Sequence, residues 1–201
     1  MAIIVEHDKR RREILEKSLE VFASEGYEDV TFQKIADRCG ITRTTLYIYF
    51  NNKREIFLGS LKQVLSEMEL SIKEIVTDES LTAEQALRKM ADIIVDYCEQ
   101  NIKMFSVLLV YLLQLKKTGV DTNEKVRRRV IKLRHLISTL IIRGIQNGEF
   151  KNVNVHQVNE LIYCLVESSI FRIAVLNQPA IPEIRSSINL AIDGFLMKSS
   201  D

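Results

Sequence analysis

Residues 31–53 read TFQKIADRCGITRTTLYIYFNNK, and this stretch decides the fold. Thr31 is a helix-capping residue, and Val30 and Ile35 occupy the two positions of a hydrophobic staple around it. Gly40 supplies a residue that tolerates a positive φ angle where this helix must end. Thr42 then caps another helix, with Ile41 and Leu46 as a second staple. Two short helices with matched start signals and one glycine between them predict a helix-turn-helix.

The pattern extends on both sides. A helix is expected over 9–25, with Ile14, Leu15, Leu19 and Phe22 on one stripe and Gly26 as its left-handed cap. From Lys53 a longer helix carries Ile56, Phe57, Leu61, Val64, Leu65, Met68, Ile72 and Ile75, and 78–80 break it. Thr82 and Gln85 form a capping box for a helix to 100. A more apolar helix covers 102–117 and stops at Gly119. A further box at 121–124 opens a helix to 146, closed by Gly148. Asn154 and Gln157 open the next, to 177. Pro179 and Pro182 bound a linker before a last helix to 198. The reading is all-α with nine helices and no convincing strand pair. Residues 1–52 form a helix-turn-helix domain, and 53–201 a larger helical ligand-binding and dimerisation domain.

Composition agrees with a globular chain of 201 residues, 46% hydrophobic and 27% charged, with only two prolines and seven glycines. The net charge of +1 hides its distribution, since Lys9, Arg10, Arg11 and Arg12 form a basic run. Cys39, Cys98 and Cys164 lack metal-ligand or disulfide spacing and read as buried thiols of a reducing cytoplasm. No apolar run reaches membrane-spanning length, and 3–5 are too short for a signal-peptide core. No motif calls for a cofactor or metal. Nucleophile elbow, phosphate-cradling glycine loop and paired-carboxylate frame are all missing, so the chain reads as no enzyme.

On a helical projection of 42–51, Leu46 and Phe50 face inward. Thr44, Ile48 and Asn51 face outward, flanked by Thr45 and Tyr47. Hydroxyls, an amide, an aromatic edge and one branched apolar group suit a DNA major groove. Arg43 can pair with guanine or phosphate, and Ile48 can touch a thymine methyl. Lys53 and the helix start near Thr31 suit phosphate. The alternative is that Tyr47 and Tyr49 are core aromatics and the threonines only cap.

The spacing Thr31-x3-Ile35-Ala36-x3-Gly40-Ile41-Thr42-x2-Thr45-Leu46-Tyr47-x-Tyr49-Phe50-x2-Lys53 resembles the N-terminal signature of the TetR/AcrR family of bacterial transcriptional regulators. The close match covers about the first 57 residues. The resemblance implies a three-helix DNA-binding head contacting double-stranded DNA through Thr31, Thr42, Arg43, Thr44, Thr45, Tyr47, Tyr49 and Lys53. It also implies a homodimer through 154–177 and 182–198, and a nucleoid-associated place in a bacterial cytoplasm. Cys39 replaces a frequent alanine. Ile48 replaces a polar or aromatic residue, so base preference cannot be carried over there.

With that fold, helices over 82–177 would surround an effector cavity. Its candidate lining is Tyr97, Met104, Phe105, Tyr111, Tyr163 and Phe171, with Gln114, His135, Ser138 and Glu167 as polar groups. For each aromatic, ordinary core packing is the competing reading. Glu167 stands among apolar neighbours and should reach solvent, a dimer partner or a cationic ligand. The expectation is a repressor released from palindromic operator DNA by a small, largely apolar effector. One alternative is a DNA-binding protein controlled by a protein partner. A remote one is an enzyme acting on a hydrophobic substrate.

Overall fold

The structure is a computed structural model that describes residues 2–117, 123–176 and 181–197. Nine helices occur among the described residues: α1 (Ala2–Glu25), α2 (Phe32–Cys39), α3 (Arg43–Tyr49), α4 (Lys53–Thr77), α5 (Ala83–Gln100), α6 (Ile102–Lys117), α7 (Asn123–Gln146), α8 (Val155–Leu176) and α9 (Ile181–Asp193). The all-α expectation holds. The box at 121–124, the stop at Gly119 and the linker around Pro179 fall on, or depend on, residues outside those described.

The local signals act as read. Thr31 Oγ1 accepts the Lys34 N–H at 3.3 Å, and Thr42 Oγ1 accepts the Thr45 N–H at 3.1 Å. Gly40 is left-handed at φ 67°, and its N–H and that of Ile41 close the end of α2 onto Asp37 and Ala36 carbonyls. Thr82 and Gln85 complete the capping box of α5.

Three boundaries differ from expectation. α1 begins at Ala2, because no glycine or proline interrupts 2–8. α3 ends at Tyr49, and Phe50 is its extended C-cap. α9 ends at Asp193 instead of near 198. There the chain turns through Gly194 and Phe195, and Leu196 forms an isolated antiparallel bridge with Phe150. That pairing joins positions far apart in sequence, so helical periodicity cannot reveal it.

The chain divides into two compact units, Met1–Glu67 with Lys103–Gln114, and Met68–Ile102 with Leu115–Asp201. In the first, Ile14, Phe22, Ile35, Leu46, Phe50, Ile56 and Phe57 are buried. Ser60 on α4 donates to the Leu15 carbonyl at 2.7 Å, tying α4 to α1. Phe22, Tyr27, Phe57 and Tyr111 form an aromatic cluster that brings α6 into this unit.

The second unit buries Leu87, Met90, Ile137, Leu140, Ile162 and Ile188. Arg143 donates to the carbonyls of Val76, Leu81 and Thr82, closing the α4–α5 turn onto α7. Glu149 accepts the Glu84 N–H at 3.0 Å at the start of α5. Arg88 reaches Asn189 and Asp193, and Arg185 reaches Asp92 and Asp96, so α9 is bound to α5 by ion pairs.

Candidate nucleic-acid interface

Capping and the left-handed turn at Gly40 fix α3 against α2, and burial of Leu46 and Phe50 fixes its rotation. What remains outside is the face projected from sequence. Thr44 is exposed, Ile48 is 69% exposed and Tyr47 is 48% exposed. An isoleucine left this open on a seven-residue helix, beside a half-exposed tyrosine, gains little from folding and is available to a partner.

Several of these groups already have partners. Thr42 and Thr45 hydroxyls lie 2.8 Å apart. Arg43 Nη2 donates to the Tyr47 hydroxyl at 3.2 Å, and its guanidinium lies 5.7 Å from that ring's centroid. Asn51, expected on the helix, lies beyond it and donates to Glu55. Lys53 donates to the Glu28 carbonyl at 2.9 Å and sits 4.7 Å from the Tyr27 ring centroid, which anchors its stem and leaves ammonium protons for a second acceptor.

Two neighbours escaped the sequence reading. Phe32 of α2 stacks on Tyr47, with ring centroids 4.6 Å apart and planes 25° apart. His7 of α1 stacks on Tyr49 at 4.6 Å and 24°. Both contacts join different helices, so no periodicity signals them. The basic run is partly spent within the unit. Arg10 pairs with Glu13, and Arg11 pairs with Glu55 and lies over Phe50, while Lys9 and Arg12 are exposed. The N–H of Asn51 first of all, then its side chain and Arg11, hold the Glu55 carboxyl below its ordinary range against the opposing effect of burial.

The ten effector candidates are divided between the two units. Met104, Phe105, Tyr111 and Gln114 belong to the first unit, and Tyr97, His135, Ser138, Tyr163, Glu167 and Phe171 to the second. Met104, Phe105 and Tyr111 are buried, whereas His135, Glu167 and Phe171 are exposed. The Tyr111 hydroxyl is buried without a hydrogen-bond partner among the described residues. Ser138 accepts from Asn159 at 2.8 Å, and Tyr163 donates to Glu167 at 3.4 Å. Glu167 is exposed on the single chain, a position open to solvent, a dimer partner or a cationic ligand alike. Cys164 is exposed, not buried as expected, because it points outward from α8 beside Glu160. A groove of about 590 Å³ between α1 and α2 is lined by Glu20, Val21, Ser24, Glu25, Lys34, Asp37 and Arg38, and holds none of the ten candidates.

Comparison with known proteins fits this geometry. The family described as "Bacterial regulatory proteins, tetR family" matches residues 14–59, from the middle of α1 into the first turns of α4. The fatty acid metabolism regulator protein of Bacillus subtilis is 25% identical over 163 residues, 79% of this chain and 80% of that protein. Together these matches point to the TetR/AcrR family of regulators. DNA-binding transcriptional regulation is typical of that family. The nucleoid occlusion factor SlmA of Vibrio campbellii is also similar, at 26% identity over 76% of this chain and 75% of its own. A TetR transcription regulator from Haloarcula marismortui shares the fold, with a TM-score of 0.82 at 20% identity, over 94% of this chain and all of that one (100%). Among the described residues no helix is long and apolar enough to cross a membrane, and no group of three or more His, Cys, Asp or Glu could hold a metal ion.

Proposed function

We propose that this TetR/AcrR chain is a homodimeric repressor that leaves palindromic operator DNA when a small, largely apolar effector binds. The exposed Thr44–Tyr47–Ile48 face of a doubly capped α3 carries the reading. Thr31, Thr42, Arg43, Thr45, Tyr49 and Lys53 surround it as the phosphate- and base-contacting set. Two heads would meet half-sites spaced by about one turn of DNA or a multiple of it. Residues 1–52 would carry DNA binding and 53–201 effector binding and dimerisation. This functional boundary is distinct from the packing boundary, since the head's compact unit also takes in 103–114.

Exposed Leu161, Phe171 and Leu190 on α8 and α9 support dimerisation through these helices. Buried Met104, Phe105 and the unpaired Tyr111 hydroxyl support an effector near α6, because a buried hydroxyl without a partner is costly. Release requires the effector to favour one dimer conformation by a few kcal/mol. Selection of bound duplexes from a random pool at fixed salt, with and without candidate effectors, tests this. An enriched palindrome lost on adding an apolar compound is the expected result. No enriched palindrome would sink the reading.

A second reading has its own support. It is DNA binding without a small-molecule effector, controlled by a protein partner; one similar protein carries a name that speaks of the nucleoid and not of a small molecule. Operator binding that ignores every small molecule but responds to a captured protein would favour it.

A further inference from the structure

We infer that Phe32 is a positioning residue for DNA reading: its ring, laid flat on Tyr47, fixes the exposed face of α3 before DNA arrives. The inference rests on α3 being the DNA-reading helix.

Ile35, Ala36, Cys39 and Leu46 between α2 and α3 are each 5% exposed or less, whereas Phe32 is only partly buried and stands at the edge of that core. Its ring stacks on Tyr47, in an offset arrangement of the kind aromatic pairs prefer. Both rings stand on fixed supports. Phe32 is the first helical residue after the Thr31 cap, and Tyr47 lies one turn beyond Arg43, directly after the Thr42 cap. Arg43 holds the hydroxyl end of Tyr47 while Phe32 covers its ring.

A tyrosine on an open helix face samples several rotamers, and freezing it on DNA costs binding free energy. With Phe32 in place that ordering is already done in the free protein. The base or phosphate contact of Tyr47 and the setting of Arg43 beside it then depend on a ring that need not touch DNA.

The test uses the full chain with labelled tyrosine rings. In the free protein, Phe32→Leu should shift the Tyr47 ring signals and increase their motion, while Phe32→Tyr, which keeps the flat ring, should not. Unchanged Tyr47 signals in Phe32→Leu would overturn the inference whatever happens on DNA. On the selected duplex, Phe32→Leu should weaken binding about threefold to tenfold per bound head. In a Tyr47→Ala background the same change should do nothing further. Additive losses would overturn the inference, because they would mean Phe32 acts on its own. Melting of each variant separates weak binding from poor folding. If the wild-type chain selects no duplex, the repressor reading falls, and the ring measurement still judges the brace.

Discussion

At the residue scale, the outer face of α3 separates groups that hold the helix from groups free to read. Thr42 and Thr45 are hydrogen-bonded to each other, while Thr44 stands exposed one position away. Thr44→Ala should therefore weaken specific DNA binding by about 1 kcal/mol, the size of one neutral hydrogen bond, and leave the melting temperature unchanged. Arg43→Ala should instead lower the slope of log affinity against log salt by about 1 per head, as loss of a phosphate contact requires. Titrations on the selected duplex at three salt concentrations distinguish the two. Equal loss of folding in both variants would mean these side chains serve the core.

At the element scale, two close packings set stability. A Cβ on Gly144 of α7 would lie 2.2 Å from Cδ2 of the Phe150 ring, so Gly144→Ala should cost about 1–3 kcal/mol in urea unfolding. Phe150→Leu in the same chain should recover part of it. In the head, Glu55 links the start of α4 to Asn51 and Arg11. Its folded pKa is depressed below the unfolded value of about 4.3, so its contribution is complete above that pH and is lost as pH falls through the folded value. Glu55→Gln should flatten the acid limb of the unfolding curve below about pH 4.3. Caps and staples made α2, α3 and α5 legible, because the groups that start a helix lie within four residues of one another. The end of α9 was not legible, since Leu196 answers to Phe150. Nor were the stacks of Phe32 and His7, which depend on the angle between helices.

For the whole molecule, the three cysteines report on assembly. Burial pushes the Cys98 thiol up to about 12 and raises Cys39 as well. Neither should react with a maleimide in the folded chain at neutral pH. Cys164 is exposed on α8 and should be the cysteine that labels. If α8 forms the proposed dimer interface, its labelling should slow as protein concentration rises through the dimer constant, followed by mass spectrometry. A labelling rate indifferent to concentration, while sedimentation shows a dimer forming, would move the interface elsewhere.

The aromatic cluster of Tyr27, Phe57 and Tyr111 sets a rule for inheritance. Its members come from both sides of a long stretch of sequence, so the head is not a cassette that ends where its signature ends. A chimera that takes residues 1–67 from one relative and the remainder from another would marry Tyr27 and Phe57 to a foreign α6. Exchanging specificity between such proteins therefore means transplanting two separated pieces of gene together, the second encoding 103–114.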